Sequence, residues 1–201
     1  MEVTARCLAS VDSLDKLLQG AGALVKIVYA FLGVGSLREF AYATSDARSL
    51  MRLLSWLSNV QVVSHALGKD QIGMRDVLYL IHIAGEGVFK VCDNVAYLAR
   101  KTQGSVISCH EIVFTSRLGL FGACFAAVLI SLFDMRCDRH FRSRSMQCIQ
   151  LFQNLCDLLV AASAIRCAGF ELNFVWKSVL MLMSAFIGCV DCFRAAAIRV
   201  K

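Results

Sequence analysis

Two apolar stretches constrain this chain more than any other feature: residues 112–133, with an uninterrupted core from Leu118 (LGLFGACFAAVLISLF), and residues 172–190 (LNFVWKSVLMLMSAFIGCV). A helix rises about 1.5 Å per residue and the hydrocarbon of a bilayer is about 30 Å thick, so each stretch approaches the length needed to cross it. Arg117 and Lys177 fall inside these stretches. Each is expected to snorkel, laying its stem along apolar surface and reaching for the headgroups.

Composition points the same way. Of 201 residues, 58% are hydrophobic, against about 45–50% in an average soluble domain. One core does not absorb that excess; it must face lipid, a partner or itself. There is no proline, which permits long uninterrupted helices. The expected fold is all-α: a membrane-associated helical bundle with amphipathic N-terminal helices and two C-terminal spans. Gly104 and Ser105 mark the expected boundary between an amphipathic region, 1–104, and a membrane-embedded region, 105–201.

Within the first region, residues 11–19 start a helix and residues 23–40 continue with Leu24, Ile27, Val28, Phe31 and Leu32 at helical spacing. Gly20, Gly22, Gly33 and Gly35 punctuate it. Ser45-Asp46 reads as a helix start. Beyond it, residues 47–66 place Leu50, Leu53, Leu54, Leu57 and Val60 on one face, Arg48, Arg52, Ser55 and Asn59 on the other, and Trp56 at the border. That is the amphipathic signature. It serves two ends: insertion into one leaflet, with the leucines below the headgroups and the arginines at phosphate level, or packing against the next helix. That helix, opened by Asp70 or Gly73 and running to about Lys101, repeats Val77, Ile81, Ala84, Val88, Val91, Val95 and Leu98 by fours and threes. The stripe suits self-association or packing on a neighbouring helix, and Gly85 and Gly87 would let backbones approach closely.

Between the spans, a basic patch of Arg136, Arg139, Arg142 and Arg144 leads into a helix at 145–165, where Phe152, Leu155, Leu159 and Ala162 share a face. Two spans leave both termini on one side, expected to be the cytosol. The tail residues Arg194, Arg199 and Lys201 then lie opposite the basic patch, in conflict with the positive-inside rule.

The net charge is +6 without a basic block interleaved with aromatics, so anionic lipid headgroups are the expected partner rather than nucleic acid. The ten cysteines are scattered, several inside apolar runs, the first residues show no signal pattern, and no Asn-x-Ser/Thr sequon occurs. Cytosolic synthesis and reduced thiols are expected. Cys189-Val-Asp-Cys192 and Cys137-Asp-Arg-His140 lack a second matching pair, and Gly33-Val-Gly35 lacks the rest of a dinucleotide loop. No catalytic residue, metal or cofactor is expected, and the chain does not read as an enzyme.

Four segments carry a family resemblance. They are Asp15-Lys16; Val28-Tyr29-Ala30; Ser45-Asp46-Ala47-Arg48-Ser49-Leu50-Met51-Arg52-Leu53; and Phe89-Lys90-Val91-Cys92-Asp93-Asn94-Val95-Ala96-Tyr97-Leu98. In this order they resemble the peroxin-eleven family of peroxisomal membrane proteins, which has divergent members on glycosomes. The family pattern has a second basic residue where Ser49 stands here. The resemblance implies a multi-pass peroxisomal or glycosomal membrane protein that promotes organelle elongation, proliferation and fission. It implies amphipathic helices entering one leaflet, homo-oligomers and a fission machinery as partner. Two other readings remain open on sequence: a pore or metabolite-transport component of the same membrane, and a soluble helical adaptor whose apolar runs are core.

Overall fold

The computed structural model describes residues 11–52, 60, 62–64, 68, 72–101, 109–137 and 141–198. Their regular structure is helical throughout. The helices are α1 (Val11–Leu32), α2 (Gly35–Met51), α3 (Met74–Lys101), α4 (Cys109–Cys137), α5 (Phe141–Ala164) and α6 (Phe174–Ile198), with a short 3-10 turn at Cys167–Gly169 between the last two. No strand occurs among the described residues.

Helix boundaries follow local chemistry in most places. Gly33 ends α1 in the left-handed region (φ 66°), its N–H bonding the Tyr29 carbonyl at 2.8 Å, the glycine C-cap that a side chain would strain. At the start of α3, the Asp76 carboxylate accepts from the Gly73 N–H at 3.1 Å, satisfying one of the amides left open by the first turn. Two expected boundaries fail. Gly20 and Gly22 do not interrupt α1, and Ser45-Asp46 lies inside α2 rather than at a helix start. At Gly20 and Gly22 a neighbouring helix comes close: a Cβ on Gly20 would lie 3.5 Å from Ala185 Cβ, and one on Gly22 would lie 2.9 Å from Thr44 Oγ1.

The chain packs as two units, Met1–Met51 with Leu172–Lys201, and Arg52–Glu171. The division therefore does not follow the boundary expected near residue 104. In the first unit α1 packs against both α2 and α6, so the last helix joins the first two. In the second, α4 lies between α3 and α5. Helices α3 and α4 run antiparallel: Arg75 pairs with Asp134, the His82 ring with the Ala123 carbonyl, and the Ser116 hydroxyl donates to the Phe89 carbonyl. Between these contacts the backbones touch. A Cβ on Gly85 would sit 2.7 Å from the Gly119 carbonyl oxygen, and one on Gly119 would sit 2.9 Å from that of Gly85. Helices α4 and α5 are antiparallel too: Asn154 Nδ2 donates to Ser131 Oγ at 2.9 Å and to the Ala127 carbonyl at 3.4 Å, and Arg117 Nη1 donates to the Ala164 carbonyl at 3.3 Å.

Candidate membrane interface

Side-chain size is inverted relative to a water-soluble bundle. Among the described residues, the buried apolar positions are mostly small: Ala23, Ala41, Ala96, Ala123, Ala126 and Ala161 are all under a tenth exposed, and the largest fully buried side chains are Ser163, Ser178 and Ser184. The large apolar side chains are outside, with Phe31 77%, Phe186 70% and Trp176 62% exposed. Water would drive phenylalanine and tryptophan inward. Lipid tails are as apolar as a protein core, so in a bilayer packing favours small residues between helices and leaves large ones at the periphery.

Two helices are long and apolar enough to cross a membrane, α4 over His110–Cys137 and α6 over Phe174–Ala197. They contain the stretches that sequence marked at 112–133 and 172–190. Only 17% and 22% of their most apolar windows are buried, unlike the core helix of a soluble protein. Phe114, Leu118, Phe125 and Leu132 on α4, and Phe174, Trp176, Met183 and Phe186 on α6, all stand exposed.

The polar groups within each unit hold one another. In the first unit, Arg48 Nε and Nη2 donate to Asp15 Oδ1 and Oδ2 at 3.0 and 3.1 Å, and Nη2 also reaches Gln19 Oε1 at 3.3 Å. The Arg48 and Asp15 side chains are 17% and 18% exposed. Lys26 lies in the same unit; burial pushes its ammonium below the usual lysine value, Arg48 adds to that, and Tyr42 opposes it. In the second unit, Arg52 Nη2 pairs with Asp93 Oδ2 at 3.2 Å, its guanidinium lies 5.0 Å above the Phe89 ring, and Asn94 Nδ2 donates to the Arg52 carbonyl. Further along α3, Lys90 bonds Glu86 at 3.0 Å, with His82 3.8 Å from the same carboxylate.

The expected membrane-binding set is thus divided. Leu50 is exposed on α2. Arg48 and Arg52, expected at phosphate level, are engaged by carboxylates in their own units. Leu53, Leu54, Trp56 and Leu57 lie outside the described residues, whereas Val60 is exposed. The packing stripe of Val77, Ile81, Ala84, Val88, Val91 and Val95 is exposed along its whole length. Helix α3 meets α4 through His82, Gly85 and Phe89, and Val88 of the stripe also reaches Gly119, where an added Cβ would lie 3.0 Å from its Cγ1. Phe152, Leu155 and Leu159 of α5 also point outward. Of the two glycines expected to let backbones approach closely, Gly85 does so and Gly87 does not; that its partner would be Gly119 was not read from the sequence, although Gly119 and Ala123 were visible as small residues inside an apolar helix. No cluster of three potential metal ligands occurs among the described residues.

These features define an all-α chain with two helices capable of spanning a membrane and a periphery of large apolar side chains. Compared with protein-family models, curated proteins and solved structures, the chain matches none.

Proposed function

We propose that this chain is an integral membrane protein that shapes and divides peroxisome-type organelles, peroxisomes or glycosomes, and that it self-associates to do so. The observation that carries the membrane part is the inverted distribution of side-chain size, small inside and large outside, on two helices long enough to span. The organelle and the remodelling role rest on the four peroxin-eleven-like segments.

Three of those segments supply ion pairs inside the units: Asp15 of the first meets Arg48 of the longest within one unit, and Arg52 of the longest meets Asp93 of the last within the other. Membrane elongation then follows from asymmetric insertion: apolar side chains that enter one leaflet expand it relative to the other, and oligomers concentrate the effect.

Reconstitution of the full chain into liposomes containing anionic lipid tests this reading. Carbonate-resistant insertion with tubulation of the vesicles, and no leak of a small entrapped solute, is the expected result. Solute release without tubulation would favour a pore. A chain released by carbonate would overturn the membrane assignment.

A further inference from the structure

We infer that α3 and α5 cross the bilayer together with α4, so that the second unit is a three-helix membrane bundle whose α3 stripe, Val77 to Val95, faces lipid acyl chains. This rests on the proposed reading of α4 as a span. Neither α3 nor α5 has the composition of a span; their position follows from what they are bound to.

Helix α4 is fastened to α3 from Arg75–Asp134 near one end, through His82–Ala123 and Gly85–Gly119, to Phe89–Ser116 near the other. A helix tied to another by side chains over that length, with the backbones touching midway, runs alongside it. If α4 crosses, residues 75–95 of α3 cross beside it. The same holds for α5, tied to α4 at Asn154–Ser131 and at Arg117–Ala164. Lengths agree: α3 has 28 residues and α5 has 24, about 42 Å and 36 Å of helix against about 30 Å of hydrocarbon.

Side chains divide as a bilayer requires. Val77, Ile81, Ala84, Val88, Val91 and Val95 form an exposed apolar stripe about 27 Å long. The charged groups of α3 at the same depth lie on other faces, and each carries an opposite charge: Glu86 with Lys90, Asp93 with Arg52. Ionisable residues inside membranes pair in this way and turn from lipid. The side chains of Lys90 and Asp93 are 17% and 25% exposed, and that of Glu86 is 37% exposed.

Charge topology supplies a separate argument. With α3, α4 and α5 all crossing, Arg75 and the patch Arg136, Arg139, Arg142 and Arg144 fall on one side. Each crossing reverses the side, so by chain connectivity alone a further passage by α6 returns Arg194, Arg199 and Lys201 to the side of that patch. Arg100, Lys101 and Arg166 then fall on the opposite side, so the basic residues near the helix ends favour the side of the patch, the bias that the positive-inside rule requires.

The test uses the full chain in liposomes, with a photo-crosslinking phenylalanine analogue placed singly at Ile81, Phe125 or Phe152, outward positions on α3, α4 and α5. Phospholipid adducts at all three are expected. A site-specific protease sequence inserted between Asp138 and Arg139 should be cut from the same side of the vesicle as one appended after Lys201. Lipid adducts at Phe125 without adducts at Ile81 and Phe152, or cleavage from opposite sides, would overturn the three-helix crossing and leave α4 as a span. No lipid adduct at any position would overturn both.

Discussion

The guanidinium of Arg48 and the carboxylate of Asp15 meet in two parallel hydrogen bonds, 3.0 and 3.1 Å long, that join α2 to α1. A fork-to-fork pair of this kind fixes register as well as charge, and lysine does not reproduce it. Because both side chains are less than a fifth exposed, removal of one leaves a charge that water reaches poorly.

Arg48→Ala should therefore destabilise the first unit by about 2 kcal/mol, somewhat below the value for a fully buried pair. Arg48→Lys should cost less, and a double-mutant cycle with Asp15→Asn should show strong coupling. Denaturant titration of the detergent-solubilised chain measures this. An unaltered midpoint in Arg48→Ala would mean the arginine serves the headgroups and not the fold.

At the α3–α4 crossing, Gly85→Ala should cost about 1–3 kcal/mol, because the added methyl would lie within 2.8 Å of two backbone atoms that cannot turn aside. Gly119→Ala should behave alike. Gly87→Ala is the contrast: nothing lies within 4 Å of a Cβ there, so the substitution should be neutral or stabilising by up to about 1 kcal/mol through helix propensity. Thermal unfolding of the three variants separates them; equal effects at Gly85 and Gly87 would exclude the backbone contact.

Lys26 should act in the opposite direction from an ion-paired residue. Its folded-state value lies below the ordinary 10.5, first through burial and then through Arg48, so the charged form is penalised in the folded state. Stability contributed at this site rises with pH between the folded value and 10.5. Lys26→Met should stabilise the chain at neutral pH, and its advantage should shrink as pH rises towards 10.5. An advantage independent of pH would point to packing alone.

For membrane remodelling, Leu54→Glu combined with Leu57→Glu should abolish liposome tubulation and leave carbonate resistance intact. Retention is assigned to the spans, and tubulation to the amphipathic segment at 47–66. Tubulation that persists in the double variant would move the shaping activity to another part of the chain.

Much of the helical architecture was legible in the sequence. The two long apolar helices, the α3 periodicity and the helix after the basic patch all appear close to where they are expected, α6 running on seven residues past 190 to Ala197. The roles of faces were less legible. A period of three and four residues shows that Val77 to Val95 share one side, yet it is the same for a stripe that meets a helix and one that meets lipid. Arg48 and Arg52 look equivalent four residues apart, but their carboxylates, Asp15 and Asp93, lie in different units.

By itself the sequence determined that the chain is helical and that α4 and α6 are apolar enough to span, because helix hydrogen bonds reach only four residues and hydropathy adds up along a local window. The tertiary structure alone decided that α6 packs with α1, that Gly85 meets Gly119, and that the charges of α3 find opposite charges while its valines face outward. Those outcomes depend on shape and charge matching between segments far apart in the chain, which no local period encodes.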